Sequence, residues 1–236
     1  MKPVLLIAVN FAREQRWPIL TLLLWVLLLA FLGLVTDIQR QREDLLFVFK
    51  QDALYVLAFS VFFGGSAIYN ERRSRRILSV LSKAVGRQQY LSGLVLGVTL
   101  ACTVYCFVLG LTGSWTLGVA GFPISHIWFL MVCLVVACML AGTVALMFST
   151  FLNPFFAAGA TAMVLGLPAL AGQIIGPQWG YVIPVWKLGA TVVESSFGSP
   201  GTASWFPVVL AVGETLAFWL LSARIFAYVD IAVAVE

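Results

Sequence analysis

Residues 18–36 read PILTLLLWVLLLAFLGLVT, a run that contains no charged side chain. A helix needs about 20 mostly apolar residues to cross the roughly 30 Å hydrocarbon core of a bilayer, and this run meets that requirement. The rest of the chain has the same character, because 61% of its 236 residues are hydrophobic and only 10% are charged. Soluble domains carry about 25% charged residues. The sequence therefore predicts a protein whose main solvent is lipid.

Six segments have the length and composition of membrane-crossing helices. Lipid cannot form hydrogen bonds with loose backbone, and the alternation typical of a membrane barrel is absent from the sequence. We therefore predict an all-α integral membrane protein with a single transmembrane domain over residues 1–236. The stretch GSWTLGVAGFPIS, which is rich in turn residues, is expected to connect the third and fourth spans. The predicted spans are residues 18–36, 52–70, 90–112, 126–150, 153–175 and 205–228.

The distribution of positive charge predicts the orientation, since short cytoplasmic loops carry an excess of Lys and Arg. With six spans, both termini share one side with the connection at 71–89. That side collects ten of the 14 basic residues, and the other side has four. We therefore expect both termini in the cytoplasm and the protein in the inner (plasma) membrane. A basic cluster of this kind favours a membrane surface or an acidic partner over nucleic acid.

Two further segments are predicted to lie at the membrane surface. Residues 2–16 have the pattern of an interfacial helix, and residues 176–204 that of an outer, re-entrant or amphipathic segment with a short helix from about Pro184 to Ser196. The apolar face expected for residues 2–16 consists of Val4, Leu5, Ala8, Phe11 and Ala12. Aromatic residues at the outer segment suit a membrane interface, and they are Trp179, Tyr181, Trp186 and Trp205.

The connection between spans two and three, residues 71–89, combines a basic arc with an apolar stripe. Helical spacing places five apolar residues on one face, while arginines and Lys83 occupy the remaining arc. Lipid headgroups explain the charge, but they do not explain a continuous apolar stripe. The stripe consists of Ile77, Leu78, Leu81, Ala84 and Val85.

Residues 71–93 contain a series of polar, hydrophobic, aromatic and small residues at fixed spacing: Glu71, Arg72, Ile77, Leu81, Ser82, Arg87, Tyr90 and Gly93. In these residues the region resembles the permease subunits of type-2 ABC exporters, whose pattern between spans two and three begins Glu-Arg and continues through a hydrophobic residue, Leu-Ser, Arg, Tyr and Gly. The chain departs from this pattern where Arg75-Arg76 replace Gly-Thr, where Val85-Gly86 replace part of a turn, and where Leu94 replaces Lys.

The resemblance implies that residues 71–89 form a coupling helix that inserts into a separate cytoplasmic ATP-binding subunit. For Glu71 two roles stay open: a cap at the N-terminus of that helix, or an ion pair with Arg13 or Arg16 of the N-terminal helix. The residues implied to contact the ATPase are Glu71, Arg72, Arg73, Arg75, Arg76, Ile77, Leu78, Leu81, Ser82, Lys83 and Arg87.

The sequence itself contains no phosphate-binding loop of the type G-x-x-x-x-G-K-[ST]. ATP and Mg²⁺ are therefore expected on the partner chain, with no cofactor, catalytic residue or metal ligand in this one. The resemblance further implies a dimer of permeases, formed with a second copy or a paralogue, that encloses the pathway. Few polar groups occur in the spans, which favours a lipidic or amphipathic substrate.

Glu214 lies within the last predicted span, and an ionisable side chain at that depth marks a functional site by default. We expect it to line the pathway or the dimer interface. Two other functions stay open: an ion-coupled secondary transporter, which would need more such residues in two repeats, and a membrane scaffold or assembly factor that docks through 71–89. No second acid or histidine is expected in the interior of the spans.

Overall fold

The computed structural model describes residues 2–35, 42–73, 86–119, 121, 123–193 and 205–228, and no strand occurs in these ranges. The chain is helical almost throughout them. The helices are α1 (Lys2–Glu14), α2 (Arg16–Val35), α3 (Arg42–Arg73), α4 (Arg87–Val119), α5 (Ile124–Ser149), α6 (Pro154–Ile174), a 3₁₀ turn (Pro177–Tyr181), α7 (Val185–Val193) and α8 (Phe206–Tyr228).

Five of these helices are long and apolar enough to cross a membrane. The spans they contain are Phe47–Glu71, Arg87–Gly118, Ile124–Ser149, Pro154–Ile174 and Phe206–Phe226. In addition, α1 and α2 meet at a bend of 62°, and together they satisfy the same criterion as one broken span. The predictions of an all-helical fold and of several membrane-crossing helices are confirmed at this level.

Both α3 and α4 extend beyond the spans expected from composition. α3 has 32 residues and begins at Arg42 rather than near Asp52, and α4 has 33 residues and continues through most of the expected connection to Val119. The hydroxyl of Thr116 donates a hydrogen bond to the carbonyl of Thr112 in the same helix. Polar residues whose side chains bond to their own helix do not force a loop, and this explains the extension of α4.

α5 is the central helix of the bundle. It packs against α3, α4, α6, α7 and α8, and 72% of its most apolar stretch is buried within the protein. The small residues Ala137, Ala141 and Ala145 are fully buried. A stripe of small residues at spacings of four allows close approach of neighbouring helices, and here it serves contacts within one chain.

The tightest of these contacts joins α3 to α5. A side chain on Gly64 would overlap the carbonyl of Gly142, and the Ser60 hydroxyl donates a hydrogen bond to the carbonyl of Cys138. Ser60 and Cys138 are both fully buried. The two backbones therefore touch without an intervening side chain at this crossing.

α1 packs against the first half of α4 through two glycines. A Cβ atom on Gly93 would lie 2.7 Å from Ile7, and one on Gly97 would lie 2.9 Å from the Phe11 ring. Ala8 and Phe11 are buried, as expected for the apolar face of residues 2–16. Leu5, on the same predicted face, is 58% exposed, and Ile7 contributes to the contact with α4. The helix faces α4 with residues 4, 7, 8 and 11, since the glycines fix its rotation.

Replacing Gly93 by leucine should detach α1 from α4. The added side chain meets Ile7 well inside contact distance, and overpacking of this kind costs about 1–3 kcal/mol. Because Arg13 and Arg16 are exposed on either side of the α1–α2 bend, we expect trypsin to cleave there about tenfold faster. Gly166→Leu on α6 is the matched control, since no atom lies within 4 Å of a Cβ at that position. Equal cleavage of the two variants would contradict the packing of α1 on α4.

The segment after α6 folds back against the bundle. The 3₁₀ turn approaches the end of α6 so closely that a Cβ on Gly172 would lie 3.1 Å from the Gly180 nitrogen. The short helix expected from about Pro184 is confirmed as α7, and its Val185 and Leu188 are buried in one cluster with residues of α5 and α8. Residues 194–204, the remainder of the predicted outer segment, lie outside the described residues.

Candidate partner-coupling site

The residues predicted to contact a partner lie within or beside residues 74–85, which the structure does not describe. Two of them have described side chains: Glu71 in the last turn of α3, and Arg87 at the start of α4. Arg72 and Arg73 belong to the last turn of α3. The other predicted residues, Arg75, Arg76, Ile77, Leu78, Leu81, Ser82 and Lys83, lie outside the described residues.

Glu71 is a nearly buried carboxylate at the end of α3, with 9% of its surface exposed. It lies beside the hydroxyl of Tyr90 on α4, which is a hydrogen-bond donor. The expectation that Glu71 begins a new helix is wrong, because α3 continues to Arg73. A negative charge at a helix C-terminus is unfavourable with respect to the helix dipole, so a nearby hydroxyl dipole is a favourable neighbour for the Glu71 carboxylate.

Arg87 joins the start of α4 to the end of α8. Its Nη1 atom donates a hydrogen bond to the carbonyl oxygen of Phe226 at 2.9 Å, and its guanidinium lies 5.9 Å from the centre of the Phe226 ring. Phe226 is in the last turn of α8, where backbone carbonyls have no partner within the helix. Arg87 therefore caps α8 and places a positive charge at the favourable end of its dipole.

Tyr90 and Phe226 complete the arrangement as a stacked pair. Their ring centres are 6.4 Å apart with an angle of 18° between the planes, and both side chains are fully buried. Glu71, Arg87, Tyr90 and Phe226 thus form one unit, which we name the three-helix clamp. It fixes the two helices that flank residues 74–85 to each other and to the last helix.

Sequence reasoning located part of this clamp. Tyr90 belongs to the family pattern but was not among the predicted site residues, and Phe226 belongs to no motif. An aromatic residue at the end of an apolar helix gives no signal of its own, because 18 phenylalanines occur in the chain. Its role depends on the distant Arg87, which only the folded arrangement reveals.

Glu214 lies on α8, half-buried, and its Oε2 atom has no hydrogen-bond partner among the described residues. Gly213 beside it has no neighbouring atom within 4 Å of where a Cβ would stand. A second acid, Asp52, also lies within a span, in the first part of Phe47–Glu71. Asp52, the first residue of the predicted span 52–70, thus joins Glu214 as an acid on the long apolar helices.

The four cysteines, Cys102, Cys106, Cys133 and Cys138, are buried and unpaired. Within the described ranges, no three side chains of the His, Cys, Asp and Glu types come together as metal ligands would. These cysteines contribute to packing between α4 and α5.

In comparisons with known proteins, no family model, no curated protein and no solved structure matches this chain. The proposal that follows therefore rests on its own residues and geometry, together with the resemblance carried by residues 71–93.

Proposed function

We propose that this chain is the transmembrane permease subunit of an ATP-driven ABC exporter. In this proposal residues 71–89 form the coupling helix, and a separate cytoplasmic ATP-binding subunit supplies ATP, Mg²⁺ and hydrolysis. The pathway forms between two permeases, which are two copies or a copy and a paralogue. The substrate is lipidic or amphipathic.

The three-helix clamp is the observation that carries this proposal. A partner that moves residues 74–85 can drive transport only if the motion reaches the spans. Arg87 bound to Phe226, and Glu71 beside Tyr90, make the ends of three helices into one unit at the edge of that segment. Packed side chains and hydrogen bonds of this kind are the physical means by which a local displacement becomes a rigid-body motion.

The topology proposed with this function has six spans, with α1 and α2 forming the first as a broken pair. α1 packs beside the first half of α4, and the end of α8 meets the start of α4. Both described ends of the chain therefore lie near the same end of the bundle as the start of α4 at Arg87. The excess of Lys and Arg on that side supports its assignment to the cytoplasm of the inner (plasma) membrane. The 3₁₀ turn and α7 are then the outer re-entrant segment.

The exposed surface of α6 supports a dimer. α6 is the least buried of the five spanning helices, with 17% of its apolar stretch covered, which suits a contact with a second permease.

A groove between α2 and α3 supports the substrate class. It is open and apolar, has a volume of about 380 Å³, and contains Trp25 and Tyr55, whose rings meet edge to face at 6.4 Å. Such a groove can accept an acyl or other apolar chain from the bilayer. Glu214 is then a polar group of the pathway or of the dimer contact.

The experiment that tests this proposal is co-purification followed by an ATPase assay. From detergent extracts of cells that express the protein with its ATP-binding partner, the wild-type chain should retain the partner and support ATP hydrolysis. Leu81→Asp places a charge in the apolar stripe and should abolish both, since an unpaired charge buried in an interface costs several kcal/mol.

Val80→Asp is the matched control, because helical spacing places residue 80 off the stripe. It should retain the partner and most of the ATPase activity. If the wild-type chain co-purifies with no ATP-binding subunit, or if the two aspartate variants behave alike, the exporter proposal fails.

One observation favours the second candidate, an ion-coupled transporter: the buried Asp52 joins Glu214 as an acid within the spans. Ion-coupled transport would persist without an ATP-binding subunit and stop when a protonophore or ionophore collapses the gradient. Transport that requires the ATPase and survives gradient collapse supports the exporter instead.

A further inference from the structure

A cavity of about 180 Å³ lies between α2, α3 and α4, near the end of α3 that is opposite to Glu71. Asp52 and Glu71 are 19 residues apart on one helix, or about 28 Å. The cavity is therefore close to the outer boundary of the membrane if residues 74–85 are cytoplasmic. Eight of its lining residues, the majority, are apolar: Val26, Leu29, Ala30, Leu32, Val48, Phe49, Leu109 and Gly113.

Asp52 supplies the charge in this lining. Its side chain is 3% exposed, and its Oδ1 atom has no hydrogen-bond partner within the part of the chain that the structure describes. A buried acceptor without a partner costs about 1–3 kcal/mol, and more when it is charged. Such a group in a native fold therefore points to a proton or to a positively charged ligand.

The position of Asp52 is fixed by contacts on both sides. The buried Tyr105 hydroxyl of α4 donates a hydrogen bond to the Asp52 carbonyl oxygen at 3.1 Å. One helical turn earlier, the Phe49 ring lies against Gly113, where a Cβ would be 2.7 Å away. These contacts hold α3 against α4 beside the cavity, so the carboxylate is held in place before any ligand arrives.

Two threonines provide further hydrogen-bond acceptors. Thr112 Oγ1 donates its hydrogen to a carbonyl of its own helix, at Val108 or Leu109, and Thr116 Oγ1 donates to the carbonyl of Thr112. Because each hydroxyl has one hydrogen and two lone pairs, both oxygens can still accept. Asp52, Thr112 and Thr116 are the three polar residues that line the cavity, and each has an oxygen that can accept a hydrogen bond.

We propose that this cavity binds the ammonium group of an amphipathic amine, with the nitrogen at Asp52, Thr112 and Thr116 and the apolar chain against α2. A primary ammonium has three N–H donors, which matches the three acceptors. Metal cations such as Mg²⁺ or Ca²⁺ prefer about six oxygen ligands, and walls of this composition do not supply them. Cavities of about 150 Å³ admit a benzene-sized molecule, so a six-carbon chain fits here and can extend past the half-exposed Leu32.

The test measures the thermal unfolding of the full chain in detergent, with the fluorescence of its eight tryptophans as the probe. Hexylammonium chloride at neutral pH should raise the midpoint in a saturable manner. Equal concentrations of 1-hexanol or of sodium chloride should not. A shift with hexanol of the same size would show an apolar cavity only, and a shift with sodium would show an alkali-cation site; either result overturns the proposal.

Asp52→Asn should raise the half-saturating hexylammonium concentration by at least about tenfold, since a hydrogen bond to a charged group is worth about 1.5–3 kcal/mol. Unchanged binding in this variant would also overturn the proposal. The measurement uses this chain alone, without ATP or a partner, so its outcome is independent of the exporter assignment.

If Asp52→Asn does not fold, Thr116→Val tests the proposed ammonium site instead. It keeps the shape of the side chain, removes one acceptor, and should weaken hexylammonium binding about threefold. Thr103→Val is its matched control, because Thr103 makes the same bond to its own helix at Thr99 but does not line the cavity. Equal affinities in the two valine variants would overturn the proposal.

Discussion

Gly64→Ala is expected to lower the midpoint of thermal unfolding by about 5–10 °C, because among the described glycines an added Cβ meets its closest neighbour at this position. A Cβ at this position would overlap the Gly142 carbonyl and stand 3.0 Å from the Ala145 Cβ atom. Neither neighbour can move aside, because one is backbone and the other is fixed to it. The crossing of α3 and α5 must therefore widen, which also strains the bond from Ser60 to Cys138.

Gly65→Ala is the matched control for this prediction. The nearest atom to a Cβ at Gly65 is the Pro154 carbonyl oxygen at 3.5 Å, an ordinary contact. Since alanine favours a helix over glycine by about 0.5–1 kcal/mol, this variant should unfold at or slightly above the wild-type temperature. Tryptophan fluorescence in detergent measures both midpoints, and a loss of stability in Gly65→Ala as large as that in Gly64→Ala would contradict the close crossing.

The positions of the spans could be predicted from the sequence because lipid imposes one simple requirement. Long apolar runs such as 18–36 leave no alternative to a buried or membrane-crossing helix, so the helices were located correctly. Their ends were not. Charges and glycines at 42–51 and 113–119 indicated loops, but a helix that projects beyond the hydrocarbon satisfies its own backbone and can carry polar side chains in water.

Which faces meet could be predicted only in part. Gly93 and Gly97 have the four-residue spacing of small residues that permits close approach of helices, yet this spacing does not identify α1 as the neighbour. The hydrophobic pattern of α1 does not separate Leu5 from Ile7, because both are apolar and the helix lies against protein on one side and an apolar solvent on the other. In a membrane the usual signal of burial, the difference between apolar and polar residues, is largely lost.

The candidate site shows the same limit. Glu71 and Arg87 were recognised from the family resemblance, whereas Phe226 and Asp52 were not recognised as site residues. Asp52 was read as the polar start of a span, since a carboxylate at a boundary is common. Its significance comes from being covered by α2 and α4, which is a tertiary property.

Tyr90→Ala is expected to destabilise the protein by about 3–5 kcal/mol, because it removes a fully buried aromatic ring. The loss should be concentrated at the three-helix clamp. Without the ring, Phe226 loses its stacking partner, and the Glu71 carboxylate loses the neighbouring hydroxyl. Hydrogen–deuterium exchange should therefore rise most in the last turn of α8 and the first turn of α4, with little change in the centre of α5.

Two variants separate this effect from a general loss of packing. Tyr90→Phe keeps the stacked ring and removes only the hydroxyl, which has no hydrogen-bond partner among the described residues, so it should change stability by less than about 1 kcal/mol and leave exchange at the end of α8 nearly unchanged. Phe156→Ala removes an aromatic ring that is 63% exposed on α6, and it should leave the clamp untouched. If the three-helix clamp acts as one unit, hydrogen–deuterium exchange in Tyr90→Ala should rise first in the last turn of α8. If exchange in Tyr90→Ala rose evenly over all helices, or rose equally in Phe156→Ala, a displacement of residues 74–85 would have no preferred route into the spans.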